Sequence, residues 1–195
     1  ANAGRHEEAL DVTKELLEAT ERKHGPRHEK TLHYLFMLSE RYYGTGQHEK
    51  TIQVIEQYLE RLGEGPETLS KRLRARMVIV LSLNGLQRPE EALKMVDEFL
   101  NLATQHNALD WSILRTAAVV YSRNGRRGDA IAALEKELLM VRRQFGDESF
   151  RTAYILEQIG NFHAGLGHRQ EAISYFEQSL SRWQKTRGNG HAVTL

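Results

Sequence analysis

The chain has 195 residues, 40% of them hydrophobic and 27% charged, which supplies a substantial core and excludes disorder. Lys and Arg number 27 against 26 Asp and Glu, a formal net charge of +1, so no charge excess favours nucleic acid or an anionic membrane as partner. Cysteine is absent, which removes disulfides, thiolate zinc sites and cysteine nucleophiles together. In chain order, apolar spacing of helical period predicts helices at 5–24, 30–44, 48–62, 67–85, 89–105, 109–123, 127–144, 149–165 and 169–186. The first opens on the string GRHEEAL from Gly4. The second carries Leu35, Leu38 and Tyr42 on one face. The third follows GQHEKTI from Gly46 and shows a ridge of Ile52, Ile55 and Leu59. The fourth reads Arg76, Ile79 and Leu83, irregular at its first position, and the fifth begins QRPEEAL from Gln87, with Pro89 suited to a first turn. Leu114, Ala117 and Tyr121 mark the sixth helix, and GRRGDAI from Gly125 opens the seventh. Leu156, Ile159 and His163 mark the eighth. GHRQEAI from Gly167 opens the ninth, whose ridge is Ile173, Phe176 and Leu180.

Those five strings share one layout: a turn residue, a polar stretch, a small residue, then an aliphatic one. The small positions are Ala9, Thr51, Ala92, Ala130 and Ala172, spaced 42, 41, 38 and 42 residues apart. Each unit is therefore an antiparallel helical hairpin. A lone hairpin cannot bury both apolar faces, so neighbours stack and share a continuous core. Ser39, Val80, Ala118 and Gly160 on the first helices face those small positions on the second. Gly46, Gly125 and Gly167 suit the left-handed backbone that ends a helix. The expected organisation is a single repeat domain over 1–195, with units 1–28 (partial), 29–66, 67–107, 108–147, 148–188 and 189–195 (partial). Residues 4–24 read as a second helix without its first, and His191 to Leu195 as a hairpin begun, so a fragment of a longer protein is expected.

The pattern resembles the tetratricopeptide repeat. In IGNFHAGLGHRQEAISYFEQSL, the residues Gly160, Gly167, Ala172 and Phe176 occupy that family's small and aromatic positions. The period is longer than the family's usual ~34 residues and is similar to the long repeats of kinesin light chains and of NB-ARC-type NTPases. The connector GPRHEKTL (Gly25 to Leu32) recurs as GNGHAVTL (Gly188 to Leu195) and more loosely as GDESFRTA (Gly146 to Ala153), and it is similar to the linker of those long forms. The doubled Asn those families often carry in the first helix is replaced here by FMLS, ILRTAA and LEQIG. The resemblance implies an all-α fold, an α-solenoid of tandem antiparallel hairpins wound as a right-handed superhelix.

Catalytic and metal chemistry find no anchor. Gly25 and Pro26 separate His24 from His28, His163 and His168 flank a turn with no third ligand at a recognisable spacing, and His28 and His191 read as caps of recurring connectors. The pairs Glu7/Glu8, Glu90/Glu91 and Asp147/Glu148 sit at helix starts, where acids complement the helix dipole. No Walker or Gly-x-Ser-x-Gly motif occurs. The expectations are no enzyme activity, no cofactor and no bound metal. No apolar run reaches the length of a spanning helix and no signal-peptide pattern opens the chain, so a cytoplasmic protein is expected.

The resemblance places the ligand surface on the first helices. Their outward positions give His33, Phe36, Glu40 and Tyr43, then Arg74, Met77, Leu81 and Asn84. Ser112, Arg115, Val119, Ser122 and Arg123 come next, then Tyr154, Glu157, Asn161 and Ala164. Asn amides can hold an extended backbone, and aromatic and Arg side chains dominate interface energies. The basic run Lys71 to Arg76 reads as a surface balanced by Glu64, Glu67 and Asp129, or as a strip for acidic groups. Gly44, Gly85 and Gly165, at one repeated position, read as room for a ligand backbone or as helix ends. The leading expectation is a non-catalytic scaffold that binds a protein or peptide with acidic residues near Arg74, Arg115 and Arg123, and neither nucleic acid nor membrane. The alternatives are a regulatory or ligand-sensing segment of a multidomain enzyme or NTPase, and a module that self-associates through uncapped ends.

Overall fold

The computed structural model describes residues 2–187 and the side chains of 7–186; the repeated connector with His191 and the partial unit 189–195 lie outside the described residues. Among these, nine α-helices follow one another: α1 (Asn2–His24), α2 (Glu29–Gly44), α3 (His48–Leu62), α4 (Leu69–Gly85), α5 (Pro89–Gln105), α6 (Trp111–Arg123), α7 (Arg127–Phe145), α8 (Phe150–Gly165) and α9 (Arg169–Arg187). No strand occurs among the described residues. Every predicted helix is present, with ends displaced by a few residues at most. The largest difference is at α1, which begins at Asn2 and so holds Glu7 and Glu8 inside it rather than at its start. A 3-10 turn at Pro66–Thr68 occupies the expected first residues of α4. Asp110 starts α6 late because its carboxylate accepts from the Ser112 and Ile113 amides, the geometry of an N-cap.

The helices gather in two compact units, Ala1–Ala108 with α1 to α5 and Leu109–Leu195 with α6 to α9. In the first, α1 packs on α2, α2 pairs with α3, α3 meets α4, and α4 pairs with α5. In the second, α6 pairs with α7, α7 meets α8, and α8 pairs with α9. The four hairpin turns are copies of one another. The amide of Gln47 donates to Tyr42 O (2.9 Å), Arg88 to Leu83 O (3.0 Å), Arg126 to Tyr121 O (2.8 Å) and His168 to His163 O (2.9 Å). These six-to-one bonds satisfy carbonyls left open at a helix end, and they require a left-handed residue in the turn. Gly46, Gly125 and Gly167 fill that place with φ of 74°, 77° and 79°, while Gln87 takes φ 57° without a glycine's freedom.

Close helix approach follows from the small residues. Ser39, Val80, Ala118 and Gly160 are buried on the first helices, as are Thr51, Ala92, Ala130 and Ala172 on the second. Around them, Leu35, Ile55, Leu73, Val96 and Phe99 form the core of the first unit, and Leu114, Val120, Ile155, Leu156 and Ile159 that of the second. The connector motif has a hydrogen-bonding reason. Thr31 Oγ1 donates to Gly25 O (2.8 Å) and Thr152 Oγ1 to Gly146 O (2.9 Å), tying the start of a first helix to the end of the helix before it. His28 Nδ1 accepts from the Lys30 amide (3.2 Å), and Ser149 Oγ does the same for Thr152 (3.2 Å), so both act as N-caps.

Candidate functional site

In the first unit, α2 and α4 contact each other, and a cavity of about 470 Å³ opens beside them. Its apolar side is Leu32, Phe36 and Tyr58; its polar rim is Arg27, Lys71 and Arg74, joined by His33 and Glu29. The Arg74 guanidinium lies 4.8 Å from the centre of the Phe36 ring, which is 5.3 Å from that of Tyr58. Arg74 Nη2 also pairs with Glu40 Oε1 at 3.1 Å, both side chains being exposed. Burial pushes the Tyr58 hydroxyl above its ordinary range, with the Arg74 charge acting the other way.

In the second unit, a cavity of about 270 Å³ lies between α6 and α8. Ala118, Val119, Leu134 and Phe162 provide apolar surface, and Arg115, Ser122, Arg123, Tyr154 and Gln158 provide the rest. Arg115 is fixed from two sides. Its Nε and Nη2 reach both carboxylate oxygens of Glu137 at 2.7–3.0 Å, and its guanidinium lies 5.1 Å from the Tyr154 ring centre. The Glu137 side chain is 0% exposed. Burial raises its carboxyl above the usual carboxylate range, and the Arg115 hydrogen bonds and charge pull against that.

The expected groove residues divide accordingly. His33, Phe36 and Arg74 meet at the first cavity, and Arg115, Ser122, Arg123 and Tyr154 at the second. Met77 and Asn84 are half-buried on α4, Glu157 is half-buried on α8, and Asn161 is exposed there; none lines either cavity. Tyr43, exposed, lies 5.5 Å from the His48 ring. Ser112 Oγ donates to Asp110 Oδ1 (2.6 Å), which places it in the helix cap. Of the three arginines expected to form an acid-binding strip, Arg74 and Arg115 are thus answered by the chain's own carboxylates. Among the described residues Arg123 meets no carboxylate within ion-pair distance. The basic run behaves as a balanced surface at Arg72, which pairs with Glu64 at 2.7 Å.

Other expectations resolve locally. Gly44, Gly85 and Gly165 end their helices. The His48 ring occupies the space beside Gly85, and Arg127, the first residue of α7 as His48 is of α3, donates to Gly165 O at 3.1 Å. The His24 and His28 rings stack with centroids 4.5 Å apart despite the helix break between them, because the turn at Gly25 and Pro26 folds the connector back. Desolvation and the neighbouring His28, Lys23 and Lys30 charges hold His24 below the usual imidazole range. His163 and His168 meet across their turn with Nδ1 atoms 3.3 Å apart. Asp147 joins Arg142 and Arg182 at 2.8 Å each, and Glu148 holds Lys185. Among the described residues no three His, Asp or Glu side chains gather as metal ligands, and no helix is long and apolar enough to cross a membrane. Sequence reasoning missed Arg27, Leu32 and Tyr58 as cavity residues and Glu137 as the partner of Arg115. Only Glu137 left a signal, as an acid among Leu134, Leu138 and Val141 on the apolar stripe of α7.

Tandem hairpins with repeated turns, repeated small-residue contacts and an aromatic-and-arginine face on the first helices define a helical repeat scaffold. The tetratricopeptide repeat family model matches residues 1–64 and 111–185, and the chain belongs to that family, whose repeats serve protein–protein interaction. Among solved structures, it is similar to the nearly identical TPR-like repeats of a proposed kinesin light chain from Podosopora anserina, at 18% identity and TM-score 0.72, over 95% of this chain and 90% of that one. BtubC (BKLC) from P. vanneervenii aligns at 15% identity and TM-score 0.77, over 97% of this chain and 76% of that one. MamA aligns at 19% identity and TM-score 0.65, over 95% and 92%. At such identities the likeness concerns the fold. Comparison with curated protein sequences returns no match.

Proposed function

We propose that the chain is a non-catalytic binding module that holds an extended segment of a partner protein against the first helices of its hairpins. The observation that carries this reading is the open, apolar-floored cavity beside the first helices in each unit, with an arginine stacked on an aromatic ring at its edge. Such surfaces combine apolar area with directional donors, which is the composition of interface hot spots. With volumes of about 470 and 270 Å³, the cavities have room for one or two side chains of a peptide. Unpaired Arg123 favours an acidic residue at the second cavity.

The test is selection of a displayed random-peptide library on the protein, with Phe36→Ser and Tyr154→Ser variants as counter-targets whose helicity is checked first. Peptides retained by the parent and lost by one variant are the expected outcome. Enrichment no greater than on an unrelated helical protein, or sequences indifferent to both substitutions, would refute the proposal.

A second reading, self-association, is favoured by one observation. On α9 the ridge Ile173, Phe176 and Leu180 is 45%, 36% and 42% exposed, whereas its equivalents on α7, Ile131, Leu134 and Leu138, are 8%, 2% and 6% exposed between α6 and α8. A second copy could cover it. Sedimentation velocity across a range of concentrations decides: a constant monomeric coefficient, unchanged by an Ile173→Glu/Leu180→Glu variant, would rule self-association out.

A further inference from the structure

Tyr58 is 6% exposed and lines the cavity of the first unit. Its hydroxyl forms no hydrogen bond to any described residue and is not sealed from solvent, so it stands as an open donor at the cavity. Its ring lies 5.3 Å from that of Phe36, on which the Arg74 guanidinium rests at 4.8 Å, so the phenol and the cationic rim share one side of the cavity. Around the same space stand Arg27 and Lys71, and among the described residues no carboxylate lies within ion-pair distance of either. Glu29, the one acid lining the cavity, sits in the first turn of α2, where the helix dipole offsets its charge. The third cation, Arg74, is held by Glu40 in an exposed pair of the kind that contributes little to stability, so an incoming anion can draw it away.

Resting on the peptide-binding reading, and narrowing it, we propose that this cavity receives an aryl phosphate, the phosphotyrosyl side chain of a partner peptide, with its ring on Leu32 and Phe36 and its phosphate among Arg27, Lys71 and the Tyr58 hydroxyl. The charge count selects phosphate over carboxylate. A phosphomonoester carries about −1.5 to −2 charges and three acceptor oxygens, which matches two unanswered cations and a phenol donor; a carboxylate brings one charge and leaves a donor unmet. The apolar side selects an aryl ester, since a phosphate on a short aliphatic side chain would leave Leu32 and Phe36 uncovered. The volume of about 470 Å³ holds a phenyl ring, its phosphate and ordered water.

The probes are phenyl phosphate, inorganic phosphate and phenylacetate, titrated by calorimetry into the whole chain and into Arg27→Ala, Lys71→Ala and Tyr58→Phe variants, with Arg143→Ala, which does not line the cavity, as control. Phenyl phosphate is expected to bind about tenfold or more tightly than either comparator. Loss of Arg27 or Lys71 is expected to weaken it by about fivefold or more, and loss of the Tyr58 hydroxyl by several-fold; the Arg143 variant should match the parent. Equal binding of phenylacetate, equal binding of inorganic phosphate, or indifference to Arg27 and Lys71 overturns the proposal. Melting curves identify any variant that fails to fold, and Tyr58→Phe, which keeps the ring, then decides. Failure here together with unphosphorylated peptides that depend on Phe36 would remove this inference and leave the peptide reading standing, whereas failed peptide selection with phenyl phosphate binding intact would keep an aryl-phosphate site and remove the partner peptide from both proposals.

Discussion

Replacing Arg115 by Met removes the cation facing a carboxylate from which water is shut out. Glu137 is fully buried, and all three hydrogen bonds to its oxygens among the described residues come from Arg115. Deleting one partner of a buried pair leaves an uncompensated charge and costs about 3–5 kcal/mol. The lost stacking on Tyr154 adds about 0.5–1 kcal/mol. With a urea m-value of about 1–3 kcal/mol per molar, the unfolding midpoint of the second unit should fall by about 1 M or more. The pH dependence has a definite sign. A carboxyl raised on folding binds more protons in the native state than in the unfolded one, so its contribution to stability declines as pH rises through the folded value. Without Arg115 the raised window widens, so the deficit of the variant should be large near about pH 7.5 and shrink toward about pH 5. Arg115→Met combined with Glu137→Leu should recover most of the loss, because an apolar replacement of a buried pair is near neutral or stabilising. Urea titrations followed by far-UV circular dichroism at both pH values measure all of this. A single-variant cost below about 1 kcal/mol, or one that does not change with pH, would show that Glu137 is hydrated or already neutral and would refute the reasoning.

Four further substitutions test the repeat. Gln87→Gly should raise stability by about 1 kcal/mol, because Gln87 takes the left-handed backbone that glycine holds in the other three turns; a destabilised protein in a denaturant titration would contradict that account. Gly44→Ala and Gly85→Ala sit at one repeat position but should differ in sign. Open space surrounds Gly44, so alanine should be neutral or stabilising by up to about 1 kcal/mol. A Cβ at Gly85 would overlap the His48 ring and should cost about 1–3 kcal/mol. Equal effects on thermal melting would deny that His48 fills that space. Asp110→Ala should cost about 1–2 kcal/mol, since one carboxylate oxygen caps the Ser112 and Ile113 amides at 2.7 and 3.0 Å, and amide exchange in the first turn of α6 should accelerate.

The helices were legible because the repeat states each boundary several times over. A left-handed turn residue at one end, a small contact residue and an apolar triplet at fixed offsets are independent statements of the same hairpin, and the exceptions, Gln87, Val80 and Arg76, could be read against their equivalents. The cavities were legible in part. Assigning the ligand face to the first helices found Phe36, Arg74, Arg115, Arg123 and Tyr154 but could not find Tyr58, which reaches the first cavity from a second helix, or Arg27, which reaches it from a connector. Pairings were least legible. Arg74 with Glu40 and Arg115 with Glu137 span 34 and 22 residues, and no local pattern records which carboxylate a cation meets across a hairpin.

Those two pairings set how each cavity can treat a charged ligand. Both arginines stack on an aromatic ring of a neighbouring first helix and both are answered by a carboxylate, so they look equivalent. Their carboxylates are not. Glu40 is exposed, and releasing Arg74 from it returns Glu40 to water at a cost of about 0–1 kcal/mol. Glu137 is sealed in the core, and releasing Arg115 strands a buried charge at about 3–5 kcal/mol, more than a surface contact with a ligand carboxylate returns. Arg74 is therefore an exchangeable cation and Arg115 a structural one, whose exposed edge offers a ligand shape and stacking more than charge. Under the proposed function, acid recognition in the second unit would fall to Arg123, while the first would bring Arg27, Lys71 and Arg74 to bear on one anion. On that proposal the same hairpin, repeated, would yield one cavity that selects by charge and one that selects mainly by fit.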